Sequence, residues 1–177
     1  MKQHVKDTTI LEAVAGAIQY EKDCFEFYLK VYEQAKEGSP IKEMFQQLAE
    51  ESDEHIKLIQ NIYNELEGGT EFPNLKELAA IHKFHSSAIF KIMRKLERNV
   101  KDVSNSDLIN AEKAMQAAED ARDFFNKIKE KFTDPEIKIL FKRLADFHEE
   151  NRLLIEGQYN FMSQKTHQNF YWEEETK

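Results

Sequence analysis

The residues with the clearest chemical content are carboxylates and imidazoles set about one helical turn apart. The segment Leu48-Ala49-Glu50-Glu51-Ser52-Asp53-Glu54-His55 has an echo in Leu144-Ala145-Asp146-Phe147-His148-Glu149-Glu150-Asn151. Each follows a Phe (Phe45, Phe141) and precedes an aliphatic run. A third group, Glu21, stands inside the apolar series Leu11, Val14, Ile18, Phe25 and Tyr28, where the spacing asks for an apolar side chain. Acids and imidazoles brought into a helical core have two chemistries open to them. They can ligate a divalent metal ion, the carboxylate neutralising charge and the imidazole adding a neutral nitrogen. Alternatively, an ionised carboxylate can be balanced by an imidazole that carries the proton.

The elements that must position these groups are helical. Five Gly and three Pro in 177 residues, with abundant Glu, Lys, Ala, Leu and Gln, favour an all-α fold. Thr9-Ile10-Leu11-Glu12 reads as a capping box opening a first helix over about 9–35, ended by Gly38. Ser39-Pro40 opens a second over 40–67, with stripe Ile41, Phe45, Leu48, Ser52, His55, Ile59 and Tyr63 or Ile62, stopped by Gly68-Gly69. A third runs over about 107–132, with Leu108, Ala111, Met115, Ala118, Phe125 and Ile128 inward. Thr133-Asp134-Pro135 opens a fourth over about 135–162, with Ile137, Phe141, Leu144, His148, Asn151, Ile155 and Tyr159 inward. Glu21–Tyr28 lines up with Ala118–Phe125, so the first two helices and the last two read as two homologous helical hairpins. A crossover over about 71–100, partly helical, joins them; residues 163–177 form an aromatic and acidic tail containing Phe170-Tyr171-Trp172.

Composition excludes several classes. A formal charge of −8 argues against nucleic acid, which requires a basic surface. No apolar run approaches the roughly 18 residues of a membrane span. The single cysteine, Cys24, permits neither an internal disulfide nor a Cys-x-x-Cys site and reads as a packing residue; with no apolar leader after Met1, a cytoplasmic location is expected. His82 and His85 form an i, i+3 pair without acidic company and read as solvated.

Tyr20-Glu21-Lys22-Asp23, Glu26-Phe27-Tyr28 and Leu140-Phe141-Lys142-Arg143-Leu144-Ala145-Asp146 resemble the rubrerythrin branch of the ferritin-like superfamily. The resemblance implies a four-helix bundle with one long crossover. Two helices of that bundle each give a Glu and the other two each give a Glu-x-x-His, all inward, around two metal ions. It also implies peroxide chemistry at two irons, an electron-relay centre of four cysteines that this chain cannot build, and a homodimer.

Transferred position by position, the ligand pattern is broken. Glu21 and His55 are present; Ser52, Ala118, His148 and Asn151 stand where Glu, Glu, Glu and His belong. A full di-iron centre is therefore not expected, and oxidoreductase activity is in doubt. Glu21, His55 and His148 make a set competent for one zinc or iron ion, with assistance from Asn151 and, if the helices shift register, from Glu51 or Glu119. The alternative is a metal-free scaffold or interaction protein whose core Glu and His groups form a polar network, with Arg122 reaching inward to Glu21 in place of the lost metal charge.

Overall fold

Local signals set the helix boundaries. Thr9 and Glu12 cap each other, the Thr9 amide donating to Glu12 Oε2 at 2.8 Å and the Glu12 amide to Thr9 Oγ1 at 3.3 Å. They open α1 (Ile10–Gln34). The chain reverses through Gly38, whose φ of 77° lies in the left-handed region that favours glycine. Ser39 then precedes Pro40 at the start of α2 (Pro40–Glu67).

The computed structural model describes residues 9–69 and 104–174, with 165–174 as backbone alone. The predicted crossover, the His82/His85 pair and the side chains of Phe170-Tyr171-Trp172 lie outside the described residues. The second pair of helices is α3 (Asn105–Lys129) and α4 (Pro135–Glu174).

Three boundaries differ from expectation, one of them the end of the third helix, at Lys129 and not near residue 132. The third helix begins earlier because Ser104 and Asp107 form their own capping box, the Ser104 amide donating to Asp107 Oδ2 at 2.9 Å. The fourth starts as predicted, Asp134 Oδ1 accepting from the amides of Glu136 and Ile137. It does not stop near residue 162, however: the backbone stays helical to Glu174, so residues 163–174 extend the helix instead of forming a separate tail.

The helices pack as two hairpins, α1 with α2 and α3 with α4, and the hairpins meet through α1 and α3. Loops of a few residues enforce antiparallel neighbours within each hairpin. The core follows the predicted stripes closely: Val14, Ile18 and Tyr28 from α1; Ile41, Phe45, Leu48 and Ile59 from α2; Phe125 and Ile128 from α3; Phe141, Leu144 and Ile155 from α4. Of the two alternatives near the end of α2, Ile62 is buried and Tyr63 only half-buried. On α3 the inward face is a row of alanines, Ala111, Ala114, Ala118 and Ala121, ending in Phe125. Aromatic rings tie the hairpins together. Tyr20 of α1 stacks on Phe124 of α3 at 4.7 Å between centroids and lies 5.8 Å from Phe125 of the same helix. Each such ring buries enough apolar surface to contribute on the order of 1.5–3 kcal/mol.

Gly16 sits inside α1, and a Cβ placed there would meet only Phe124 Cζ, at an ordinary 3.7 Å. The helix therefore bears the entropic cost of a glycine that nothing requires. Gly16→Ala should raise the unfolding free energy by roughly 0.5–1 kcal/mol, read as a shift of the urea midpoint without change of slope.

Candidate metal centre

Glu21, His55 and His148 are brought together from α1, α2 and α4, each with 0% exposure. Helical spacing explains the convergence. Glu21 lies on the α1 face between Ile18 and Tyr28, His55 lies one turn after Ser52 and one before Ile59, and His148 lies one turn after Leu144. All three are carried inward by apolar neighbours on the same stripe. His148 Nε2 is 2.9 Å from Glu21 Oε1, a charge-assisted hydrogen bond when the ring is protonated. His55 Nδ1 is 3.8 Å from Glu21 Oε2, too far for a hydrogen bond but close enough to act electrostatically. The rings are held by aromatic walls: Phe147 meets His55 edge-on at 4.2 Å, and Phe125 stacks along His148 at 5.5 Å. Sequence reasoning missed Phe147 as a wall of the site; its signal was adjacency to His148.

Burial by itself would raise the Glu21 carboxyl. The charge and hydrogen bond of His148, followed by His55, outweigh it and hold the group down to about 2. Glu21 is therefore a carboxylate at every ordinary pH, with imidazole as its nearest source of positive charge. One turn along α1, Cys24 is pushed well up, first by burial and then by Glu21 and Asp23, so its thiol is neutral and packs as a small hydrophobe. Two turns along, the buried Tyr28 hydroxyl is likewise raised by burial, with the carboxylates of Glu21 and Glu51 adding to the effect. Both carboxylates thus act on one phenol.

The secondary candidates divide sharply. Asn151 is buried one turn beyond His148 and donates its amide to Glu51 Oε2 at 3.4 Å. Glu51, expected to point off the inward face, is fully buried, as are Ser52 and His55, and Asn151 of α4 reaches it. Glu119 is not part of the centre; its side chain is 46% exposed and pairs with Arg122 at 3.1 Å.

Arg122 does not reach Glu21, contrary to the predicted pairing. It sits at the edge of the α3–α4 interface, donating to Glu149 at 2.7 Å and contacting Glu119 and Asp123. There the guanidinium keeps contact with water and avoids the desolvation a core position would impose. Its alignment partner Phe25 is itself only half-buried, so the equivalence marked a boundary position.

The donor set decides which metal group fits. Two ions need carboxylates that bridge them, and the family positions hold Ser52, Ala118, His148 and Asn151 instead; a di-iron centre does not fit these residues. Among the described residues, both nitrogens of His55, Nδ1 of His148, Oε2 of Glu21 and Oδ1 of Asn151 are buried without a hydrogen-bond partner. Such orphaned donors and acceptors cost about 1–3 kcal/mol each unless an ion or water engages them. Among the described residues no three His, Cys, Asp or Glu groups stand together so as to hold a metal ion.

Two measurements check this account. His148→Ala leaves Glu21 buried beside one distant imidazole and should cost about 3–5 kcal/mol in urea denaturation, whereas Arg122→Ala, at the boundary, should cost about 1 kcal/mol or less. Because Glu21 is depressed from its ordinary 4.5 to about 2, its contribution to stability is whole above pH 4.5 and is lost as pH falls through 2. Glu21→Gln should therefore flatten the acid limb of the stability–pH curve, read by thermal melts between pH 2 and 6.

Comparison with known families supplies the context for these residues. A family model described as Rubrerythrin matches residues 12–152. No curated protein and no solved structure matches. The matched span includes Glu21, Glu51, His55, Ala118, His148 and Asn151 and covers most of the chain; the chain belongs to the rubrerythrin family.

Proposed function

We propose that this protein is a one-ion member of the rubrerythrin family, in which Glu21, His55 and His148 hold a single divalent iron or zinc ion. The observation that carries the reading is His55: a wholly buried imidazole, both ring nitrogens without a hydrogen-bond partner among the described residues, 3.8 Å from a carboxylate. A core histidine with no ligand to bind ordinarily donates or accepts at least once. Glu21 would supply negative charge, the imidazoles two neutral nitrogens, and water the rest of the shell. Bound iron would supply redox chemistry, and bound zinc the polarisation of a coordinated oxygen. The chain's own residues position the set: Phe125 and Phe147 fix the ring planes, and the apolar stripes above and below restrict water. The two-iron peroxide chemistry of the family has no second set of bridging carboxylates to run on, and with one cysteine the chain holds no four-thiolate electron relay.

One observation favours a second reading. His148 already donates to Glu21 at 2.9 Å, and the carboxyl is held near 2, so the centre can balance its charge without a metal. On that reading the protein is a scaffold or interaction module with a polar core.

Elemental analysis of protein purified without chelator, together with calorimetric titration of Zn(II) and anaerobic Fe(II), separates the two. The expected result is about one ion per chain, lost in His148→Ala and in His55→Ala, and peroxide consumption by the iron-loaded protein no faster than that of free Fe(II). Absence of binding would establish the metal-free scaffold, and two ions per chain would restore a di-iron centre.

A further inference from the structure

The four helices do not end at the same level, and contacts between them fix by how much. His55 meets Phe147 and Glu51 meets Asn151, so α2 and α4 are antiparallel and Pro40, where α2 begins, is level with Met162. Tyr28 packs on Phe45, which brings the end of α1 at Gln34 to that same level. Arg122 bonds Glu149 and Tyr159 bonds Glu112, so the first residue of α3, Asn105, is level with Thr166. Helix α4 nevertheless continues to Glu174. Residues 167–174 therefore run past every other described helix, over about 12 Å of axis at 1.5 Å per residue. A helical end of two turns without a neighbour is marginal in water. This one carries Phe170-Tyr171-Trp172 at consecutive positions, roughly 200° of the helix circumference. Its charges are divided by end, with Lys165 and His167 at the base and Glu173 and Glu174 at the tip.

We propose that residues 163–174 of α4 are a dimerisation arm, whose occupant is the same arm of a second copy of this chain laid antiparallel across a two-fold axis near Phe170. The inference is independent of the one-ion reading above. Charge selects both the partner and the orientation. Antiparallel pairing sets Lys165 and His167 of each arm beside Glu173 and Glu174 of the other, twice per dimer, as a two-fold contact requires. Parallel pairing would set acid against acid. A different partner would have to carry the same division of charge in reverse order, which a second copy already supplies. The aromatic run lies at the centre of the pairing, where each ring contributes roughly 150–250 Å² of surface. Three rings from each arm give about 900–1,500 Å² in all, which reaches the range of about 1,200–2,000 Å² found in stable interfaces. The overhang beyond α1, α2 and α3 lets two arms meet without the bundles colliding at their ends.

The test is sedimentation equilibrium of the full-length protein over a concentration series, which should show monomer and dimer in exchange. One variant carries Glu173→Lys with Glu174→Lys, and a second carries Lys165→Glu with His167→Glu. Each alone should weaken self-association about tenfold or more, because each sets like charges together at both ends of the arm. Mixing the two variants should restore a dimer with one chain of each. Phe170→Ala with Trp172→Ala should weaken the dimer by a similar factor, and serves where a charge variant fails to fold. A wild-type protein that stays monomeric throughout would overturn the proposal and assign the aromatic run to a contact within one chain. A dimer that none of the variants weakens would also overturn it, placing the interface elsewhere. Loss of the dimer in both charge variants without recovery on mixing would overturn the pairing of arm with arm.

Discussion

A carboxylate without access to water at the middle of a helical bundle has to be balanced within a few ångströms, and the structure is arranged around that requirement. Glu21 is that carboxylate. Its position on the stripe of α1 is set by Ile18 and Tyr28 and cannot be relieved by rotating the side chain to solvent, because the face it occupies is the one the bundle buries. Compensation therefore comes from other helices: His148 of α4 directly and His55 of α2 at longer range. Neither imidazole belongs to the helix of the acid it serves, so the ionic centre and the docking of the hairpins are one interaction. Loosening the bundle exposes the charge, and neutralising the charge weakens a contact between hairpins.

The two hairpins have been put to different uses. The first contributes both carboxylates, Glu21 and Glu51, and one imidazole; the second contributes one imidazole, an amide and a wall of aromatic rings. On α3 the row of small side chains adds no polar group to the centre. The boundary of the second hairpin carries the arginines instead. Arg122 and Arg152 converge on Glu149, whose carboxyl they hold near 2, with Arg152 the larger influence. That surface cluster is open to water and screened, so it orders the α3–α4 edge without competing with the buried centre.

Much of this was readable from the chain. Three-and-four spacing located the core stripes, the Thr9–Glu12 and Ser39-Pro40 signals located two helix starts, and the gap in the α1 stripe singled out Glu21. What was not readable came from positions where two forces are nearly matched. Asp107 caps α3 in a role usually taken by a longer acid, so the start at Ser104 looked like loop. Residues 163–174 carry no glycine or proline to stop α4, and their aromatic and acidic composition obscured that continuity. Arg122 was assigned inward by analogy with Phe25, a boundary residue, and side-chain length resolved the ambiguity outward. Glu51 was the converse case: its angle on the helix predicts the rim, but it is fully buried and accepts from Asn151 of α4.

The alanine at position 118 limits what the core can accept. It is fully buried, at the point where the family pattern places a carboxylate, and a glutamate restored there would add four heavy atoms to a space from which water is already excluded. It would also introduce a third buried negative charge before any second ion had a complete set of donors to bind. Ser52 and Asn151 would have to change in the same step for the addition to be compensated. Packing and charge together therefore close position 118 to a carboxylate introduced by itself.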